Sequence, residues 1–372
     1  MTSIEWTHRP GTKGESWNPV VGCSIVSPGC TNCYAMRMAA RLESMAVAEN
    51  ARRTDPHYGG KTFDAPTGHY LGTTQSSKAG PVWTGKVALA PDRVLTAPLK
   101  ARAPRTYFVN SMGDLFHEDV PDEWIDRVFA VMALASHHTF LVLTKRAARM
   151  RSYIDGVPER AARCKAPVVV HWSDKERVLG SLRSDYVGAR PWPLRNVWLG
   201  VSAERQAEAE ERIPDLLETS AVVRFVSAEP LLGPIDFVSP IHYDLLGMSY
   251  QGYIGDPLSA DHYNYGAPKI NWIIVGGESG PGARPMHPDW ARSIRDQCMA
   301  RGVSFFFKQW GQWLPSNDDV NFEDGKAWAK RHFPGRQFEQ HSSGHTFVSV
   351  GKFRAGRLLD GEEFAEWPEV RI

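Results

Sequence analysis

Asn271-Trp272-Ile273-Ile274-Val275 runs into Gly276-Gly277-Glu278-Ser279-Gly280, and a helical pattern then extends from Pro288 to Gly302. The apolar, β-rich run reads as a buried strand ending in small and polar residues. The following helix puts Trp290, Ile294 and Cys298 on one face and stops at Gly302. The unit recurs on both sides. Downstream, Val303-Ser304-Phe305-Phe306-Phe307 ends in Lys308-Gln309. Upstream, Val222 to Val226 ends in Ser227-Ala228-Glu229-Pro230, and Asn196 to Val201 ends in Ser202-Ala203-Glu204 before an acidic helix carrying Ile213, Leu216 and Leu217.

Earlier still, Thr139 to Leu143 ends in Thr144-Lys145-Arg146 before a short helix through Ile154. Thr106-Tyr107-Phe108-Val109-Asn110-Ser111 leads to Gly113-Asp114, with a helix from Pro121-Asp122 carrying Trp124, Ile125, Val128, Phe129 and Met132. Apolar strands alternating with helices predict an α/β fold with a parallel sheet. The polar groups Ser111, Asp114, Lys145, Ser202, Glu204, Glu229, Glu278 and Lys308 fall at or just past strand C-termini. That favours a partial TIM-like (β/α) barrel of about six or seven strands, whose strand ends build a site at one mouth, over a doubly wound sheet.

The expected organisation is a single barrel domain over residues 1–310, with insertions at about 51–104 and 237–269. A C-terminal extension over 311–372 follows. The first insertion is rich in Gly, Pro and Thr, with one strand-like run at Val82 to Leu89; the second carries Tyr243, Tyr250, Tyr253, Tyr263 and Tyr265. In the extension, Phe347 to Gly351 and Arg357 to Gly361 suggest a β-hairpin.

With 42% hydrophobic residues and 13 tryptophans in 372, the chain can build a packed core. A net charge of +1 gives no global pull toward nucleic acid or membrane. The N-terminus has no apolar leader pattern and no run is long enough to span a bilayer, so a soluble, cytoplasmic protein is expected.

Cys23, Cys30 and Cys33 crowd into eleven residues, and only two other cysteines exist. A local trio suits a centre held by three thiolates with one position open. Three readings compete: an iron–sulfur cluster, a structural zinc closed by Cys164, Cys298 or a histidine, and packed thiols without a metal. Gly22, Pro28 and Gly29 let the loop turn, and a helix beginning near Tyr34 aims backbone N–H groups toward negative charge. Cys298 lies on the apolar face of its helix and reads as a core residue; Cys164, between Arg163 and Lys165, is the better fourth ligand.

The run from Trp17 to Cys23 and on through Cys30-Thr31-Asn32-Cys33-Tyr34-Ala35 resembles a phage-associated family of three-cysteine-motif proteins of unknown function. That family is similar to a divergent branch of the radical SAM superfamily. Further resemblance lies in Phe108 to His117, Leu143 to Arg146, Trp198 to Ser202, Ser227 to Leu231, Val275 to Gly280, Phe307 to Gly311 and Ala355 to Gly361. The spacing here is C-x6-C-x2-C, where the superfamily usually has C-x3-C-x2-C with an aromatic before the last cysteine. Here Asn32 precedes Cys33 and Tyr34 follows it.

The resemblance implies a 4Fe-4S cluster on the loop after the first strand, with Cys23, Cys30 and Cys33 as ligands and S-adenosylmethionine (SAM) chelating the fourth iron. It implies an electron donor and a 5′-deoxyadenosyl radical acting on a polar substrate. By position, Ser111 and Asp114 meet the SAM amino group, Ser202 and Glu204 the ribose, and Tyr34 the adenine. Lys145, Glu229, Glu278, Arg284 and Lys308 then hold substrate or move protons. Phage association suggests a nucleotide or nucleic acid as substrate, with Lys145, Arg146, Arg149 and Arg151 available to phosphates; no membrane partner is expected. The alternatives are a zinc-stabilised binding protein without catalysis, and a divalent-metal-dependent hydrolase or nuclease using Asp114, Glu204, Glu229 and Glu278.

Overall fold

The computed structural model describes residues 4–54, 66–163, 192–238, 241–244, 251–254, 258, 268–316, 322–341 and 344–369. Cys164, Lys165, Tyr250, Tyr263 and Tyr265 lie outside the described residues. Seven parallel strands form one sheet: β1 (Lys13–Trp17), β2 (Arg105–Val109), β3 (Thr139–Thr144), β4 (Val197–Ser202), β5 (Arg224–Ala228), β6 (Trp272–Gly276) and β7 (Ser304–Gln309). Their spatial order is their chain order, with β1 and β7 at the edges. This is the topology of an open (β/α) barrel; a doubly wound sheet reverses order at a switch point.

Burial explains which strands were readable. Every residue of β4 and β6 is buried, so both are near-continuous apolar runs. The edge strand β1 reads Lys-Gly-Glu-Ser-Trp, and only Gly14 and Trp17 are buried. Its polar composition hid it, although a strand before the cysteine loop was expected. It pairs in register with β2 from Lys13↔Arg105 to Trp17↔Val109, and Glu15 forms an ion pair with Arg105. A Cβ at Gly14 would stand 2.2 Å from Thr7 Oγ1, so only glycine fits there.

The chain divides into two compact units. One comprises residues 1–26, 33–199 and 219–222. It carries β1 to β3 with helices α1 (Tyr34–Thr54), α2 (Asp122–Leu134) and α3 (Ala147–Arg163). Helix α2 buries Ile125, Val128, Phe129 and Met132, as its periodicity predicts. Helix α3 runs nine residues past the expected end at Ile154, to Arg163. Its Tyr153 packs its ring against Phe129, tilted by 44° with centroids 5.4 Å apart, and donates to Asp126 Oδ1 at 2.6 Å. In the first insertion the run at 82–89 is split at Gly85, whose φ is +89°. Gly80–Trp83 pairs with Thr74–Ser77, whereas Ala88–Leu89 pairs with Val20–Val21.

The other unit comprises residues 27–32, 200–218 and 223–372. It carries β5 to β7 with helices α4 (Gln206–Glu218), α5 (Pro288–Arg301) and α6 (Phe322–His332). Helix α5 stops at Gly302 in the left-handed region, φ +61°. Tyr243 and Tyr253 belong to the antiparallel pair Ile241–Asp244 and Gln251–Ile254. The terminal pairing differs from expectation. Thr346–Ser349 pairs with Phe338–Gln340 and with Trp313–Pro315, all antiparallel, not with residues 357–361. The reason is local: Gly351 at φ +88° turns the chain into the short helix Lys352–Ala355.

No helix among the described residues is long and apolar enough to cross a membrane. Cys298 is fully buried on α5, and burial pushes its thiol pKa far up. In a chain with Cys23, Cys30, Cys33 and Cys164 changed to serine, the remaining thiol should react with a disulfide reagent only on unfolding. Rapid labelling of the native chain would remove Cys298 from the core.

Candidate metal centre

The cysteine loop follows β1, and its first part is shaped by backbone. Gly22 has φ +89°, and a Cβ there would lie 2.0 Å from Lys86 O, so no other residue fits. Its N–H donates to Met112 O at 3.1 Å, and Gly85 N–H donates to Cys23 O at 3.2 Å. Asn18 Oδ1 accepts from Met112 N and from Ser111 Oγ. Cys23 and Cys33 pack against one apolar cluster that includes Val21, Ala35, Met36 and Met112.

A buried ionic network holds the same end. Asp114 accepts from Phe116 N, Thr144 Oγ1, Lys145 N and Arg146 Nη1, at 2.7 to 3.1 Å. Arg146 also reaches both oxygens of Glu118 at 2.9 Å, Ser24 Oγ at 2.6 Å and Cys23 Sγ at 3.6 Å. His117 Nδ1 accepts from Asp119 N, so in the neutral ring Nε2 carries the proton and donates to Ser24 Oγ at 2.9 Å. Burial and the Arg146 charge keep the His117 pKa below its ordinary value.

Residues 27–32 are held in the second unit by two further buried pairs. Glu204, with no exposed surface, accepts from Ser27 Oγ at 2.8 Å and from Arg212 Nη1 at 3.2 Å. Arg212 also donates to Ser202 O at 2.8 Å. A Cβ at Gly29 would fall 2.3 Å from Glu204 Oε1, which is why the loop carries glycine there. Glu278 accepts from Asn32 Nδ2 at 3.1 Å and takes three bonds from Arg284, whose Nη2 also donates to Pro28 O at 3.0 Å. Burial alone would raise the Glu278 pKa; the bonds from Arg284 and Asn32 more than offset it and hold it below the ordinary value.

Lys308 and Glu229 form a separate pair. Lys308 Nζ lies 2.8 Å from Glu229 Oε1, and Ser227 Oγ donates to Glu229 Oε2 at 3.2 Å. A Cβ on Gly276, in the strand between them, would stand 2.5 Å from Glu229 Oε1. Neither side chain is fully buried, at 18% and 13% exposed. Glycine also sets the neighbouring turn: a Cβ on Gly277 would lie 2.0 Å from Trp310 O.

The structure thus joins Asp114 to the Cys23 end of the loop, and Glu204 and Glu278 to its middle. It joins Glu229 to Lys308. Tyr34 is half exposed and donates to Ser111 O at 3.1 Å. Ser202 is buried, and Lys145 is half-buried with its backbone N–H on Asp114. Of the expected phosphate-binding group, Arg146 is buried, Arg149 pairs with Asp122, and Arg151 lies 3.8 Å from Asp155. The sequence reading missed Ser27, Asn32 and Arg212 as parts of the site. Arg212 was legible: it shares the apolar face of α4 with Ala209, Ile213 and Leu216, and a charge on a core face must find a partner.

The four described cysteines are reduced. Among the described residues, no group of three or more His, Cys, Asp or Glu side chains is placed to hold a metal ion as it stands. The donor chemistry of the loop fits a thiolate-bound iron group nonetheless. Its donors are soft sulfur, a guanidinium faces Cys23, and the N-terminus of the 21-residue helix α1 directly follows Cys33.

Two outcomes test the clamp. Arg212→Met strands the Glu204 charge and should lower stability by about 3–5 kcal/mol, whereas Ser27→Ala should cost about 1 kcal/mol, both by denaturant unfolding. For Glu278 the folded pKa lies below the unfolded one, so its contribution is complete above the ordinary value of 4.5 and is lost as pH falls through the folded value. Glu278→Gln should therefore unfold at lower temperature than the natural chain at pH 7, with the gap closing in acid. A gap independent of pH would contradict the pairing.

Comparison with known proteins gives a family and no function. No curated protein and no solved structure matches the chain. One family model matches residues 1–368, almost the whole length. The chain belongs to that family, DUF5131, described as a protein of unknown function.

Proposed function

We propose that this chain is an iron–sulfur enzyme of the radical SAM type. Cys23, Cys30 and Cys33 would hold three irons of a 4Fe-4S cluster, leaving the fourth for the amino and carboxylate groups of SAM. The same reading makes the family a distant, phage-associated branch of radical SAM enzymes, working in a reducing cytoplasm with an electron donor.

One observation carries the proposal. The loop is anchored through Ser24, Ser27, Pro28 and Asn32, residues that lie between the cysteines. Structural zinc sites supply folding energy to segments that lack other anchors. This loop has its anchors already, so three thiols on it are better explained by reactivity than by folding. The hydrolase alternative loses ground, because Asp114, Glu204 and Glu278 each spend their carboxylate on an arginine.

When bound, the cluster would supply the electron for reductive cleavage of SAM, and so the radical chemistry that removes a hydrogen atom from substrate. The protein's own work is holding and orienting. Asp114 and Arg146 fix the first arm of the loop; Glu204 and Glu278 fix its middle. Tyr34 and Ser111, joined by a hydrogen bond, offer an aromatic face and a hydroxyl for SAM. Ser202 is left as the second SAM contact by position. Lys308 and Glu229, partly open, can bind a polar substrate or pass a proton between Nζ and Oε1, and Lys145 completes the charged set. A nucleotide or nucleic acid fits such a polar site.

Anaerobic reconstitution with iron and sulfide, followed by dithionite and SAM, should release 5′-deoxyadenosine from the natural chain and none from Cys30→Ala. The Cys30→Ala chain should melt within a few degrees of the natural one: it gives up the long 3.8 Å contact of Ser27 Oγ with Cys30 Sγ but keeps the 2.8 Å bond of Ser27 to Glu204. A reconstituted, iron-loaded chain that leaves SAM intact would overturn the proposal.

A further inference from the structure

The Asp114–Arg146 network does more than fix a loop, because one of its bonds ends on a cysteine sulfur. We propose that Arg146 is a positioning residue that sets the electron affinity of the centre, by donating a hydrogen bond from Nη1 to Cys23 Sγ. The inference rests on the cluster reading above and extends it to the control of that cluster.

The geometry is specific. Arg146 Nη1 stands 3.6 Å from Cys23 Sγ and 3.1 Å from Asp114 Oδ2. Its Nε is held by both oxygens of Glu118 and its Nη2 by Ser24 Oγ. Each nitrogen of the guanidinium therefore has an acceptor, and the fork cannot turn away from the sulfur without breaking several bonds. The side chain is buried, so the interaction is poorly screened by water. Burial works against the charge, but Asp114, Cys23 and Glu118 outweigh it and hold the guanidinium protonated.

Lysine next door would supply a cation but no fixed fork. Only the arginine delivers a donor to the sulfur while keeping its other nitrogens occupied. Hydrogen bonds to cysteine sulfur and nearby positive charge favour the more reduced, more negative state of an iron–sulfur centre. Asp114 lies on the same nitrogen and partly offsets that charge. The two residues should therefore move the potential in opposite directions. In the test, dithionite supplies the one electron the centre takes up, and no bond to Arg146 forms or breaks.

The experiment is a redox titration of the reconstituted full-length chain without SAM, followed by the electron paramagnetic resonance signal of the reduced cluster, with iron and sulfide measured on each sample. Arg146→Gln should reduce the reduced-to-oxidised ratio at fixed potential by about tenfold, which is a shift of about 59 mV to lower potential for one electron. Arg146→Lys should titrate between the two, and Asp114→Asn should shift upward. Where one variant fails to fold, the sign of the shift in the other decides. Variants that load iron and titrate at the natural potential would overturn the inference. So would loss of iron from every variant while the natural chain stays loaded, because the network would then be only a clamp. A natural chain that takes up no iron removes the cluster reading itself, a distinct result.

Discussion

Pairing a buried carboxylate with an arginine is the device on which the cysteine loop depends, and three such pairs reach it. Asp114 holds Arg146, Glu204 holds Arg212, and Glu278 holds Arg284. Each pair then reaches the loop, at Ser24, at Ser27, or at Pro28 and Asn32. Buried ion pairs contribute little net stability against well-packed apolar side chains, yet losing one partner is expensive. Such pairs suit a segment that must take one conformation and cannot be secured by apolar packing alone. The loop is such a segment, being rich in Gly, Ser, Pro, Thr and Asn.

Strand ends supply these charges because a parallel sheet of this topology points all its C-termini the same way. Asp114 follows β2, Arg146 follows β3, Glu204 follows β4 and Glu278 follows β6. Glycines let the neighbouring segments approach: Gly22, Gly29, Gly276 and Gly277 each sit where a Cβ would strike another residue. These three carboxylates are committed to arginines, and Glu229 is paired with Lys308 instead.

The parallel sheet was legible because its inner strands are continuous apolar runs, and helices α2, α4 and α5 carry clear apolar faces. The edge strand β1 was not, because Lys13, Glu15 and Ser16 are polar and not buried, and its glycine serves Thr7 packing. The split of 82–89 turned on the left-handed backbone at Gly85, and the terminal pairing on Gly351; neither changes the apolar pattern that was being read. At the site, the residue types were legible and their tasks were not. Glu204 and Glu278 read as groups facing a ligand, yet their arginine partners lie eight and six residues on, at a spacing that shows no contact until the chain folds. Ser27 and Asn32 gave no signal, since polar residues in a loop are ordinary.

The central claim is that the clamped loop presents three thiolates to a cluster and not to a single structural ion. Iron, acid-labile sulfide and zinc measured on the anaerobically reconstituted natural chain test this most directly. The account predicts about four irons and four sulfides per chain, lost when Cys23, Cys30 or Cys33 is replaced. About one tightly held zinc per chain, with no iron or sulfide taken up, would contradict it.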